Sequence, residues 1–468
     1  MTKVRVGYLL AAAGVILIAT SCGDYYRPIA LPIQPTPPTP SALHYVLSLS
    51  LNGICPPALG EACGRGASSR IDVSGDTTLG SAQVGLNPVH AAVLPNGTNV
   101  YVANEMEDTV SYYSPSNVAP VSGISLPANS RPVFLNATDN TSVYVAAAGS
   151  NAVYNISTAS EAIVRTIGVG TMPVALAELP NAQKVYVANR GSGANPTNGS
   201  VQVINALDGS VSAIGNSSWN SPVWAIARSD SARVYALDQG TGMVSAIDTS
   251  SDAVVGTAAV QPGANYLFYQ SSRNHLYVTN PLAQTLTVLN AADDSLPVLA
   301  SVSFAAGSGI CPSGCVPLSV TVLPDGSRAY VVSYQIAPAC SQAGDTPPCV
   351  TTQVTVLSAA NYSVTKTIPV DLASGTSTKP DTPELAVCDA ARFRVFTASS
   401  ADSSRVYVSY CDAGATAVIR TTPDTSPGSE NPGDYLVNNL PAPLSANPAP
   451  APGLQPPPQN PVFVVPGP

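Results

Sequence analysis

Val100-Tyr101-Val102-Ala103-Asn104 is the stretch whose reading decides the fold, because variants of it return six more times along the chain. They are Val143-Tyr144-Val145-Ala146-Ala147, Val185-Tyr186-Val187-Ala188-Asn189, Val234-Tyr235-Ala236-Leu237-Asp238, Leu276-Tyr277-Val278-Thr279-Asn280, Ala329-Tyr330-Val331-Val332-Ser333 and Val406-Tyr407-Val408-Ser409-Tyr410. Successive tyrosines stand 43, 42, 49, 42, 53 and 77 residues apart. A period near 42, stretched in later units by insertions, marks a repeated supersecondary unit. The phrases are rich in β-branched residues and lack strict apolar/polar alternation, so both faces of each strand should be covered. Asn96-Gly97 and Asp325-Gly326 supply hairpin turns that tolerate positive φ. Together these features point to four-stranded blades packed radially.

New units open near Arg131-Pro132, Met172-Pro173, Ser221-Pro222, Gln261-Pro262 and Val316-Pro317, and proline is tolerated at the first residue of a strand. The last unit, from Phe393, supplies only three strands, near 393–398, 405–410 and 416–421. Upstream, 69–84 reads as a turn-linked strand pair, and strand 77–84 is expected to complete that last blade. The expected fold is therefore all-β: a seven-bladed β-propeller of four-stranded antiparallel blades over 43–421, closed by an N-terminal strand. Residues 422–468 read as a Pro-rich, low-complexity tail, mostly extended, in which 462–465 is the part able to dock as a strand.

The Tyr-Val-Ala-Asn at 101–104 and 186–189, the Tyr-Val-Thr-Asn at 277–280 and the Pro-Asp-Gly-Ser-Arg-Ala-Tyr-Val at 324–331 resemble the YVTN family of β-propeller repeats, over roughly 70–420. The resemblance implies seven blades and an exported or cell-surface protein, and it is nearly silent about chemistry. The fourth, sixth and seventh units depart from the motif but keep strand character.

The first 21 residues read as a signal peptide: Lys3 and Arg5, an apolar run over 8–18, then Ala19-Thr20-Ser21 before Cys22. This resembles a bacterial lipoprotein signal, with Cys22 as the lipidated first residue of the mature chain. The run is too short to span a bilayer. Residues 22–42 are Pro-rich and read as an extended stalk. The expected location is the bacterial cell envelope, lipid-anchored at the periplasmic or outer-membrane surface, with no inner-membrane retention signal evident after Cys22. Eight cysteines remain: Cys55, Cys63, Cys311, Cys315, Cys340, Cys349, Cys388 and Cys411. In an oxidising compartment they should pair; sequence allows 105 connectivities, and proximity suggests 55–63, 311–315, 340–349 and 388–411.

Charged residues are 10% of the chain, the formal charge is −9 and only four lysines occur, which excludes a phosphate-tracking nucleic-acid surface. Three histidines, His44, His90 and His275, are too few for a histidine-built metal site or triad. His90, in an inner strand, is either a channel ligand or base or a satisfied strand histidine, and the second reading is favoured. Ser363 and Lys366 match S-x-x-K, but on a strand they point to opposite faces. No catalytic residue, cofactor or metal ligand is assigned. At the strand entries Asn87, Arg131, Met172, Ser221, Gln261 and Val316 form a mostly neutral set, which counts against chemistry in the funnel.

In such blades one face carries the short turns, typified by Asn96-Gly97, Asp139-Asn140 and Asp208-Gly209. The other carries the insertions at 190–199, 301–316, 334–352 and 371–390 with most of the cysteines. Binding usually resides on long loops held by a rigid scaffold. The expectation is a surface-displayed, membrane-anchored binding or scaffold propeller, monomeric, capturing an unknown protein or glycan on the Cys-rich face through Arg131, Arg190, Trp219 and Tyr334. The competing reading is a lactonase-like hydrolase or lyase acting in the central funnel.

Overall fold

Eight antiparallel sheets, not seven, make up the computed structural model. It describes residues 44–54, 63–193, 198–215, 219–340, 346–370, 381–425, 431–445 and 456–467. The blades are numbered here in chain order, each read from the axis outward. Blade 2 is Pro88–Val93, Val100–Asn104, Thr109–Tyr113 and Ser122–Ser125; blade 3 is Pro132–Asn136, Ser142–Ala147, Ala152–Ser157 and Ala162–Gly168. Blades 4 to 7 begin at Pro173–Glu178, Pro222–Ala227, Tyr266–Gln270 and Val316–Val322, and blade 8 at Val395–Ser399. Every tyrosine phrase is the second strand of its blade and is buried on both faces. Outer strands such as Ala162–Gly168 alternate exposed and covered residues, as a half-solvated edge should.

Two corrections to the expected ring follow. Blade 8 has its own fourth strand, Tyr435–Pro441, paired with Ala415–Arg420. The N-terminal residues build a separate blade 1 from Tyr45–Leu51, Arg65–Asp72 and Thr77–Leu86, whose innermost strand is the C-terminal Asn460–Pro466. The segment 77–84 is thus an outer strand that pairs inward only, and closure is made by the other chain end. The ring accordingly does not stop at 421, and part of the Pro-rich tail is core: Val462, Phe463 and Val464 are buried. Blade 1 escaped the count because Leu47 stands where the other blades have tyrosine. Leu47 pairs with Arg70, two residues before Asp72, as Tyr235 pairs with Ala246, two before Asp248.

The phrase is also the device that joins blades. Tyr101, Tyr186 and Tyr330 donate to Glu161, Asp252 and Asp434, each in the third turn of the following blade, and Tyr235 donates to the Ala291 carbonyl at the same place. Two residues before the tyrosine stands a second donor: Lys184 to Asp252, Arg233 to Asp294, Arg328 to Asp434. Arg405 of blade 8 makes the same reach to Asp76 of blade 1, so the seam between the chain ends uses the joint found elsewhere. Asp76, Glu161, Asp252 and Asp434 all sit at φ of 50–53°, which turns the carboxylate back toward the preceding blade. Few charges suffice because they are spent at these joints.

Candidate functional site

The innermost strands line the axis, and their sequence determines what the channel becomes. In blades 2, 3, 4, 5 and 7 the ladder skips the residue after the opening proline: Val89, Val133, Val174, Val223 and Leu318. Such a bulge takes a carbonyl out of the sheet and re-aims it. One residue deeper stand His90, Phe134, Trp224, Tyr266, Phe396 and Phe463. His90 stacks on Phe134 at 4.0 Å, and Phe134 meets Trp224 at 5.5 Å. Trp224 meets Tyr266 at 4.7 Å, and Tyr266 meets Phe396 at 5.4 Å. Phe396 meets Phe463 at 4.5 Å, and Phe463 returns to His90 at 4.6 Å. Phe393 packs against Trp224, Tyr266 and Phe396. The six rings make a closed circuit, and four of the chain's six phenylalanines belong to it or to its filling. The channel is therefore stoppered by aromatic side chains. Such pairs contribute about 0.5–1.5 kcal/mol each beyond burial.

Above this stopper a well of about 390 Å3 remains, walled by Val89, Val133, Val174, Val223 and Val462, with Asn87, Glu105, Arg190, Gln239, Asn265 and Arg392 as its polar groups. Arg392 comes from the link between blades 7 and 8, beside the short helix Ala386–Asp389. Its Nη1 donates to the bulge carbonyls of Val174 at 3.1 Å and Val133 at 3.4 Å, and Nη2 to that of Val223 at 3.5 Å. Its guanidinium lies 5.2 Å from the Trp224 ring centre, 5.7 Å from Phe393 and 5.8 Å from Phe134. The side chain meets the water of the well but is ringed by protein, and that burial pulls its pKa down to about 10. Glu105 opposes the shift and Arg190 adds to it. It remains a cation at neutral pH. The link is clamped from behind. Cys388 is disulfide-bonded to Cys411 (Cα–Cα 5.6 Å), and buried Arg394 donates to both carboxylate oxygens of Asp412 at 3.1 Å, to Glu384 at 2.9 Å and to Asp389.

By the alternation of antiparallel turns, the well opens on the face of the second-to-third turns and blade links. That face holds the 304–315 link with Cys311–Cys315, the blade 7 extension with Cys340–Cys349, and the Cys388–Cys411 clamp. Cys63, in the blade 1 insertion on the same face, is also disulfide-bonded, while Cys55 lies outside the described residues, as do Cys22 and 371–380. The opposite face has tight turns such as Asn96-Gly97 and Asp325-Gly326.

The residues picked from sequence are on this face but are not brought together. Arg190 lines the well. Arg131 is exposed at the rim, paired with Glu105, whose other oxygen takes the Asn87 amide at 2.9 Å. Tyr334 borders a separate rim groove with Gln284, Ser313 and Ile336, and carries Arg394 over its ring at 5.4 Å. Trp219 is half-buried against the core. Of the strand-entry set, Asn87, Arg131, Met172 and Gln261 adopt φ of 49–66° immediately before proline, so these positions serve the backbone turn into the blade. His90 is no channel base: its Nδ1 accepts the Leu135 N–H at 3.3 Å, and burial holds its pKa well below the ordinary value. Sequence reading missed Arg392, Glu105 and the aromatic circuit. The available signal was the residue two after the blade-opening proline, which gives His90, Phe134 and Trp224 directly. Among the described residues no group of three or more His, Cys, Asp or Glu is placed to hold a metal ion.

No protein-family model matches this chain, and no curated protein sequence matches it. Solved structures share its shape. The dihydro-heme d1 dehydrogenase NirN, in complex with DHE, aligns with a TM-score of 0.60 at 11% identity, covering 91% of this chain and 76% of that one. Hydrazine synthase of Kuenenia stuttgartiensis aligns at 0.50 and 17% identity, covering 72% of this chain and 96% of that one. At such identities the likeness is one of fold alone.

Proposed function

We propose that the chain is a lipid-anchored binding propeller of the bacterial cell envelope, which captures a protein or glycan partner on its Cys-rich face and performs no chemistry of its own. The observation that carries this reading is the asymmetry of the two faces. All the described disulfides and most of the long connections crowd the face with the well; the other face carries mainly tight turns, its longer connections being those between Tyr113 and Ser122 and between Arg420 and Tyr435. Insertions clamped by disulfides lose little freedom on binding, so a rigid rim favours recognition. The closed aromatic circuit supports binding over a reaction inside the channel, since a substrate could descend no further than Arg392. The export reading rests on the N-terminal signal pattern and Cys22, and the YVTN resemblance agrees with it.

Two experiments test the proposal. Replacing 341–348 by a two-residue turn, which keeps both cysteines of the Cys340–Cys349 bridge, should abolish capture of envelope partners in a pull-down while leaving the unfolding free energy within about 1 kcal/mol of wild type. Retained capture would place the site elsewhere. Cys22→Ala should move the protein from the detergent to the aqueous phase, and a variant that still partitions with detergent would refute the anchor.

A further inference from the structure

We infer that the axial well is a binding site for a small organic carboxylate, held by Arg392 and Arg190 with its apolar body against the valine wall. The first support is charge. In a protein of net charge −9, two guanidiniums converge on one cavity of about 390 Å3, and the Arg190 charge disfavours the Arg392 cation. The acid that shares the well offsets only part of this charge, since the two oxygens of Glu105 are taken by Arg131 and Asn87. No side-chain hydrogen bond or ion pair ties Arg190 to any of the described residues, while other basic side chains of this chain are spent at blade joints.

The second support is the donor count on Arg392. A guanidinium has five N–H groups. Three are aimed at bulge carbonyls, two of them at the long distances of 3.4 and 3.5 Å, and the rest, the Nε–H among them, have no acceptor among the described residues. Hydrogen bonds of that length are weak. The cation is thus fixed in place by three aromatic rings and a ring of carbonyls but left short of acceptors, which suits the two-pronged grip that guanidinium gives a planar carboxylate.

The third support is the wall. Isopropyl groups of Val89, Val133, Val174 and Val223 surround the polar floor, and the amides of Gln239 and Asn265 stand among them. Apolar walls with a few convergent polar groups are the usual make-up of small-molecule sites. A bare inorganic anion would leave this wall unused, whereas an aliphatic acid of five to eight heavy atoms would cover it. The inference is separate from partner capture on the rim, since either can fail while the other stands.

The test is calorimetric titration of the full chain with 4-methylpentanoate, 4-methylpentanamide and inorganic phosphate in low-salt buffer. The carboxylate should bind saturably, the isosteric amide at least about tenfold more weakly, and phosphate no better than the amide. Arg190→Gln and Arg392→Gln should each weaken the carboxylate by about tenfold or more. Arg190→Gln is decisive if Arg392→Gln disturbs the stopper, because Arg190 holds no other element. Equal binding of acid and amide would overturn the charge argument, and equal binding of phosphate would overturn the carboxylate class. Absence of heat with all three, or full affinity in Arg190→Gln, would overturn the site.

Discussion

Replacing Asp76 by asparagine tests the seam at which blade 8 meets blade 1. Asp76 takes two hydrogen bonds from Arg405, 2.5 Å from Nε and 2.9 Å from Nη2, and the side chains are only 9% and 7% exposed. Arg420 adds a third charge at 3.6 Å. Asparagine tolerates the φ of 51° at this turn, so the substitution removes charge and leaves the backbone untouched. Breaking a buried pair strands the remaining ion and costs about 3–5 kcal/mol. The comparison is Asp230→Asn, whose partner Arg228 lies 2.8 Å away but whose own side chain is 55% exposed. Such a pair contributes about 0–1 kcal/mol. Urea unfolding of both variants reads the difference, and Arg405→Met placed in the Asp76→Asn background should recover part of the loss. An Asp76→Asn variant no less stable than Asp230→Asn would refute the seam and the eight-bladed closure with it.

The closing strand makes its own prediction. Phe463→Ala, which removes a buried ring that packs on His90 and Phe396, should cost about 3–5 kcal/mol, whereas Leu444→Ala at an exposed site should stay within about 0.5 kcal/mol; equal effects in urea unfolding would take 460–466 out of the ring. Glu178 supplies a pH signature. Burial raises its carboxyl to about 7 in the folded protein, against about 4.3 unfolded, so the folded state holds the proton more tightly and the associated stability is full below about pH 4 and lost as pH rises through 7. Glu178→Gln keeps an oxygen for the Thr138 N–H and should therefore gain on wild type between about pH 5 and pH 8; parallel melting curves across that range would contradict this.

Much of the architecture was legible in the repeated phrase, because a strand buried on both faces must be written in continuous apolar residues; Tyr101, Tyr186, Tyr235 and Tyr330 also reach the next blade. What was illegible was blade 1, where Leu47 removes the diagnostic tyrosine, and the closing strand, whose Asn-Pro-Val-Phe-Val-Val is short and set among prolines. Pairing with a distant chain end leaves no local mark, since its partner, 45–51, lies about four hundred residues away. The site was less legible still. The strand-entry residues Arg131 and Met172 attract attention as polar or bulky side chains at a funnel, yet their positions are set by positive φ before proline. Arg392 sits in a link with no repeat register, and only the fold shows that its neighbours are three carbonyls from three different blades. Arg190 was recognisable only as an arginine at the start of the 190–199 insertion, and its place in the axial well follows from the fold.

The account stands most directly on the claim that one face of the ring is the working face. A photo-crosslinking amino acid placed at Gln335 on the Cys-rich rim, and in a second variant at Asn96 on the tight-turn face, reads this in envelopes of expressing cells. The account predicts adducts to a discrete partner from position 335 and none from position 96. Adducts from position 96 with none from 335 would contradict it.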